Sequence, residues 1–172
     1  MDFLRIVGLG LGAAVGYGIL HDQITARICV EYFTVGHPPL ISSTSPTLLA
    51  LVWGVVATWW VGLPLGLALA VAARVGTRPK ANATAVAPRI MKLLVGMASC
   101  AFVAGLAGYL LAEHGSLTLV GGWGDAVPYA RHSRFLADLW AHNTSYLSGI
   151  VGGLFVAGLT YRRRGDVPVG AA

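Results

Sequence analysis

Four long apolar blocks alternate with shorter polar segments along this chain. With their polar extensions, they run from about residue 3 to 35, 47 to 73, 90 to 112 and 132 to 161. Each is long enough to supply the ~20 residues with which a helix crosses the hydrocarbon core of a bilayer. Backbone groups in lipid must pair within their own segment, so these blocks are predicted to be helices. The pattern predicts an all-α, polytopic integral membrane protein, built as a four-helix transmembrane bundle with two longer outer segments.

The composition supports the same class. Only 11% of the residues are charged and 56% are hydrophobic, whereas soluble domains carry about 25% charged residues. The length fits a single transmembrane domain over residues 1–172. Because the basic residues are few and flank the apolar blocks, we expect no nucleic-acid partner. The expected partners are the lipid bilayer and, beyond it, further copies of this chain in a homo-oligomer or the subunits of a larger membrane complex.

Basic residues mark one side of the predicted bundle. Nine of the twelve lie at the start of the first block, between the second and third blocks, or directly after the fourth. Cytoplasmic loops carry an excess of Lys and Arg. The pattern therefore predicts that both termini are cytoplasmic, with a bacterial inner membrane as the expected location.

Small residues predict how the helices pack. Gly8, Gly12 and Gly16 recur every four residues in the first block, a spacing that lets helix backbones approach closely. Gly149 and Gly153 repeat this spacing in the fourth block. We therefore expect the first and fourth helices to pack together. Pro64 is expected to kink the second helix.

Polar side chains gather at the opposite, outer side. All five histidines are predicted to lie there. The first helix is expected to continue past His21 and Asp22 to residue 35, with Arg27 and Glu31 one turn apart and able to pair. On the fourth helix, one polar stripe is formed by residues spaced by four, namely Arg134, Asp138, His142 and Tyr146. Packing of the two helices would bring these groups together in a His/Asp/Glu/Arg site.

Metal binding is the sharpest hypothesis for this outer site. His21, Asp138 and His142 are the candidate ligands, with His132 as an alternative, because imidazole and carboxylate groups suit transition metals. A transition metal or a haem is the possible cofactor, although no Cys-x-x-Cys or His-Glu-x-x-His motif is present. Three alternatives remain open: a structural or assembly subunit, a proton or solute path, and an enzyme directed at lipid headgroups. The sequence does not decide whether the protein is an enzyme.

Overall fold

The computed structural model describes residues 1–164, which form helices, turns and loops without a β-strand. The first apolar block is helix α1, Asp2–Ile28, followed by the short helix α2, Val30–Thr34. Cys29 separates them in an extended conformation. The continuous helix predicted over residues 3–35 is therefore broken once, at its outer end.

The second block is also broken. Helix α3, Pro46–Val56, and helix α4, Trp59–Arg74, meet at an angle of 41°. The break lies at Ala57 and Thr58, whereas the sequence predicted a kink at Pro64. Pro64 lies inside α4.

The remaining two blocks are long helices. Helix α5 spans Ala83–Glu113, and the side chain of Asn82 caps it by accepting a hydrogen bond from the backbone N–H of Ala85. The outer connection contains the short helix α6, Gly122–Ala126, and a 3₁₀ turn, Tyr129–Arg131. Helix α7, His132–Arg163, completes the fold.

Close packing of α1 falls on a different face from the one predicted. A Cβ added to Gly8, Gly12 or Gly16 would meet no atom within 4 Å. A Cβ on Gly10 would lie 2.7 Å from Cα of Gly66, and α1 packs chiefly against α3 and α4. Glycine on both helices permits this approach.

The first and fourth helices share only a limited contact. Helix α7 packs chiefly against α5, where a Cβ on Gly108 would lie 2.9 Å from the carbonyl oxygen of Leu136. Helix α4 also contacts α7, whereas α1 and α7 touch over a short region. The expectation that the small-residue stripes join α1 to α7 is therefore wrong for both helices, because Gly149 faces Met97 of α5 and Gly153 faces Leu65 of α4. Their polar groups nevertheless meet, as described below.

Most of the apolar surface of the long helices is not covered by protein. Only 11% of the most apolar window of α1, 11% of that of α5 and 28% of that of α7 is buried. Large apolar side chains such as Phe102, Phe155 and Val95 are more than half exposed. These three helices are long and apolar enough to cross a membrane, and the bent pair α3 and α4 makes a fourth if it counts as one span.

The two ends of the fold differ in character. Asp2 lies 3.6 Å from a guanidinium nitrogen of Arg74, and Arg78 donates a hydrogen bond to the carbonyl of Tyr161. The start of α1, the end of α4 and the end of α7 therefore share one end, here called the inner end. The outer end is the opposite one, where α1 and α5 finish and α7 begins.

Candidate functional site

Three ionisable side chains from two helices meet near the outer end. Nε2 of His142 on α7 lies 3.1 Å from Oδ1 of Asp22 on α1. The rings of His142 and His21 meet edge-on, with centroids 4.5 Å apart. One potential ligand atom from each of the three residues lies within 4.8 Å of the others. We call these residues, His21, Asp22 and His142, the His–Asp–His trio.

The hydrogen bonds of His142 define its role. Its Nδ1 lies 2.8 Å from the backbone carbonyl oxygen of Asp138, one turn earlier on α7. A carbonyl can only accept, so Nδ1 must carry a proton and donate it. Nε2 then faces Asp22 either as the second N–H of an imidazolium or as a lone pair. In the second state, either a protonated Asp22 donates to Nε2, or two acceptors face each other and a cation between them would relieve their repulsion.

His21 completes the trio from within α1. Its ring stacks on that of Tyr17, one turn earlier, with centroids 5.6 Å apart. Its Nε2 is buried and has no hydrogen-bond partner. Buried polar atoms without partners are uncommon and expensive. His21 therefore offers an unused ring nitrogen beside His142 and Asp22.

Aromatic side chains enclose the trio. The ring centroids of Tyr32 and His142 lie 4.4 Å apart, and those of His37 and Trp53 lie 4.7 Å apart. The cavity they enclose, here called the outer cavity, measures about 80 Å³. That volume suits an ion with a few waters, and it is too small for a porphyrin. Away from the trio, its wall combines the hydroxyls of Tyr17, Thr58, Ser145 and Tyr146 with the apolar residues Ala14, Val61, Met97 and Gly149.

Burial shifts the pKa values of three side chains that follow α1 at the outer end. Desolvation lowers the pKa of His37 below its ordinary value, against an opposing hydrogen bond with the carbonyl of Tyr32. Burial likewise raises the pKa of the Tyr32 hydroxyl. It also raises the pKa of the Cys29 thiol to about 12. These groups are therefore held in their neutral forms at neutral pH.

Asp138, the predicted ligand, lies next to the trio but not in it. Its backbone carbonyl holds His142, while its side chain is 1% exposed and neither carboxylate oxygen has a hydrogen-bond partner. Asp22, predicted only as part of the polar cluster, occupies the position beside His142. Residues four apart on a helix share one face, but of these two only His142 brings a ligand atom to the trio.

The predicted arginine pairs form differently. Arg27 donates to Gln23 and to the hydroxyl of Thr47 instead of pairing with Glu31. Glu31 lies 3.4 Å from Arg131. The break at Cys29 separates Arg27 and Glu31 into different helices, which removes their regular spacing.

Three further predicted residues lie outside the trio. Arg134 is exposed, and none of the ion pairs within residues 1–164 joins it to Asp138. His132 bonds through Nε2 to the carbonyl of Val127, so it closes the start of α7. The Tyr146 hydroxyl donates a hydrogen bond of 3.0 Å to the backbone carbonyl of Ala57. This carbonyl lies at the break between α3 and α4.

Several cavity residues were not predicted from the sequence. Tyr17 bonds to Ser145 at 2.9 Å beneath the trio, while Tyr32, His37 and Trp53 form the enclosing aromatic wall. Tyr17 precedes His21 by four residues, and that spacing was the one available signal. The others come together only through the break at Cys29 and the turn that follows α2.

Comparison of this chain with protein-family models, with curated proteins and with solved structures found no match.

Proposed function

We propose that this chain is a four-span integral membrane protein that binds one divalent first-row transition metal ion through His21, Asp22 and His142. The single observation that carries the proposal is the convergence of the three ligand atoms to within 4.8 Å in a buried cavity. Two imidazoles and one carboxylate are a common donor set for zinc and for ferrous iron.

The surroundings of His142 support metal binding. Metal-binding histidines usually donate their second ring N–H to a carbonyl or a carboxylate, which fixes the ring and the tautomer. The carbonyl of Asp138 does this for His142. Ligand atoms around one zinc ion lie roughly 3.3 Å apart, given bonds of ~2.05 Å. The His142–Asp22 separation of 3.1 Å is close to that value, and a modest rotation of His21 would close the trio.

A site of this kind keeps positions free on the metal. Three protein ligands leave room for water or a substrate, which is typical of catalytic and sensing sites. The volume of about 80 Å³ allows such a molecule to be small. The proposal therefore favours a bound ion over the haem alternative.

The other hypotheses are less well supported by these contacts. A purely structural cap would satisfy its buried polar atoms, but Nε2 of His21 has no partner. A proton or solute path would continue from the trio to the hydroxyls of Tyr17 and Ser145, but Ala14 and Gly149, one turn farther in, offer no polar side chain. A headgroup site would need convergent arginines, whereas Arg27 and Arg131 are held by other partners.

The proposed orientation places both termini in the cytoplasm of a bacterium, with the chain in the inner membrane. The inner end of the fold holds Arg74, Arg78 and the arginines at the end of α7, namely Arg162, Arg163 and Arg164. Clustering of basic residues at one end of the spans supports a cytoplasmic position for that end. The metal site then lies toward the periplasmic side.

Metal analysis of the full-length protein tests the proposal. The protein is purified in mild detergent, stripped with a chelator, loaded separately with Zn²⁺, Fe²⁺ or Co²⁺, and passed over a desalting column. We expect about one ion per chain for at least one metal, and at least tenfold less in the His142→Ala and His21→Ala variants. Loading with Co²⁺ adds an absorption spectrum that reports the ligand geometry.

A matched histidine variant provides the control. His114 is exposed at the end of α5, away from the trio, so His114→Ala should bind as much metal as the wild type. Circular dichroism and gel filtration establish that each variant is folded. The proposal is overturned if the wild type retains no metal after loading, or if His114→Ala loses as much metal as His142→Ala.

A further inference from the structure

A second hollow lies beside the trio, between α1, α5 and α7. This side groove has a volume of about 460 Å³, within the range of small-molecule sites. Leu20, Ile24 and Phe102 in its walls are 69%, 65% and 71% exposed. The side groove therefore opens on the apolar surface of the helices, and a ligand would enter it from the bilayer.

Two of the polar side chains in the walls contain buried atoms without a hydrogen-bond partner. Asp138 lines the side groove, its side chain is 1% exposed, and neither carboxylate oxygen has a partner. His21 lines it as well, with its unpartnered Nε2. A buried polar group left without a hydrogen bond is destabilising. His21 already belongs to the trio, so Asp138 is the group that indicates a groove ligand with a hydrogen-bond donor.

We propose that the side groove binds a neutral, lipid-soluble alcohol or phenol. Its hydroxyl donates a hydrogen bond to the carboxyl group of Asp138, and its apolar body lies against Phe102 and Leu106. The Asp138 oxygens lie beneath the groove surface, so contact requires this side chain to rotate toward the ligand.

The chemistry of the groove favours a neutral hydroxyl over a charged head. The ligand arrives through the hydrocarbon region, where charged groups are expensive. The rest of the wall offers apolar and aromatic side chains, among them Ala98, Ala101, Phe102, Leu106, Tyr109 and Ala141. An ordinary acyl chain would fill this space without satisfying Asp138. The inference does not depend on a metal, because the Asp138 carboxylate is not one of the trio.

A pair of matched ligands tests the proposal on the wild-type protein. The protein in lipid nanodiscs is labelled with a long-chain phenol that carries a photoreactive diazirine in its tail, and the labelled peptides are mapped. Labelling is competed with 4-nonylphenol or with its methyl ether, which has the same apolar body and no hydroxyl donor. We expect labels on α1 and α5 beside the groove, and a half-maximal concentration about tenfold lower for the phenol, as one hydrogen bond to a polar group implies.

Variants separate the hydroxyl contact from the shape of the groove. Asp138→Leu should bring the phenol and its ether to equal potency. Ala98→Phe should fill the groove and abolish specific labelling, whereas Val103→Phe, on the exposed side of α5 outside the groove lining, should not. Equal competition by phenol and ether in the wild type would overturn the proposal and identify the groove as a site for lipid tails. Labelling that Ala98→Phe leaves unchanged would overturn it too.

Discussion

Asp22 and His142 lie 3.1 Å apart, between Oδ1 and Nε2, although 120 positions separate them in the chain. This contact joins α1 to α7 beside the Tyr17–Ser145 hydrogen bond, which links the same two helices. The Nδ1 of His142 is fixed by the Asp138 carbonyl, so the direction of Nε2 is set by α7 itself. The pair therefore serves both as a tether between helices and as two thirds of the candidate metal site.

The tether should be measurable as a coupling free energy. In metal-free protein, a double-mutant cycle with Asp22→Asn and His142→Asn should give a coupling of about 1–3 kcal/mol, the range for residues in direct contact. Asn at 142 can still donate to the Asp138 carbonyl, so the cycle removes chiefly the contact with Asp22. The measurement is unfolding in mixed micelles with increasing SDS. A control cycle combines Asp22→Asn with His132→Gln and should give a coupling free energy below ~0.5 kcal/mol. Equal coupling free energies in the two cycles would contradict the contact.

The glycine face of α1 and α3 should tolerate no side chain. A Cβ on Gly54 would lie 2.5 Å from the backbone nitrogen of Ile19, so Gly54→Ala must push the helices apart and should cost about 1–3 kcal/mol. Gly12→Ala is the matched change on the open face of α1. It should be neutral or stabilising by up to ~1 kcal/mol, because alanine favours helix. Unfolding midpoints in SDS measure both; a larger loss for Gly12→Ala would show that α1 packs through its other face.

Cys29 should resist thiol reagents in the folded protein. Burial raises its pKa from 9.0 to about 12, which lowers the thiolate fraction at neutral pH by roughly a thousandfold. The test is maleimide labelling at pH 7.5 in a Cys100→Ser background, followed by mass spectrometry. Labelling should become complete only after denaturation. Rapid labelling of the folded chain would mean that the break between α1 and α2 opens readily.

His37 should make stability depend on pH. Burial lowers its pKa below 6.5, so the unfolded chain takes up a proton near that pH while the folded chain does not. Its contribution to stability is complete above pH 6.5, and it decreases as the pH falls from there toward the folded-state pKa. His37→Asn keeps a donor for the Tyr32 carbonyl and does not titrate. Between pH 7.5 and 5.5, the melting temperature of the wild type should therefore fall further than that of the variant; parallel curves would show that His37 titrates normally.

Apolar length and polar spacing were enough to predict the four long segments and the neighbourhood of the site. They did not predict the breaks, since neither Cys29 nor Ala57–Thr58 is marked by glycine or proline. Pro64 drew the prediction of a kink to the wrong place. The glycine face was also misassigned. Gly8, Gly12 and Gly16 have the same spacing as Gly10, Ala14 and Gly18, and only the glycines on the partner helix decide which set is used.

The geometry of the site could be predicted from the sequence only in part. The polar stripe predicted on α7 includes His142, but which carboxylate faces His142 depends on how α1 and α7 are rotated toward each other. Spacing on one helix gives no information about that rotation. The aromatic wall depends on the course of the chain after Cys29, and no periodic pattern describes that segment.

The distance along the chain between Asp22 and His142 has a consequence for how the protein is made. Ribosomes add about 5–20 residues per second, so His142 follows Asp22 by roughly 6–24 s, given the 120 positions between them. Throughout that interval the first helix must enter the bilayer with an acid that has no partner from α7. The outer end therefore cannot assemble until α7 has been made, and a chain truncated before α7 would leave the acid of α1 unsatisfied and open to quality control.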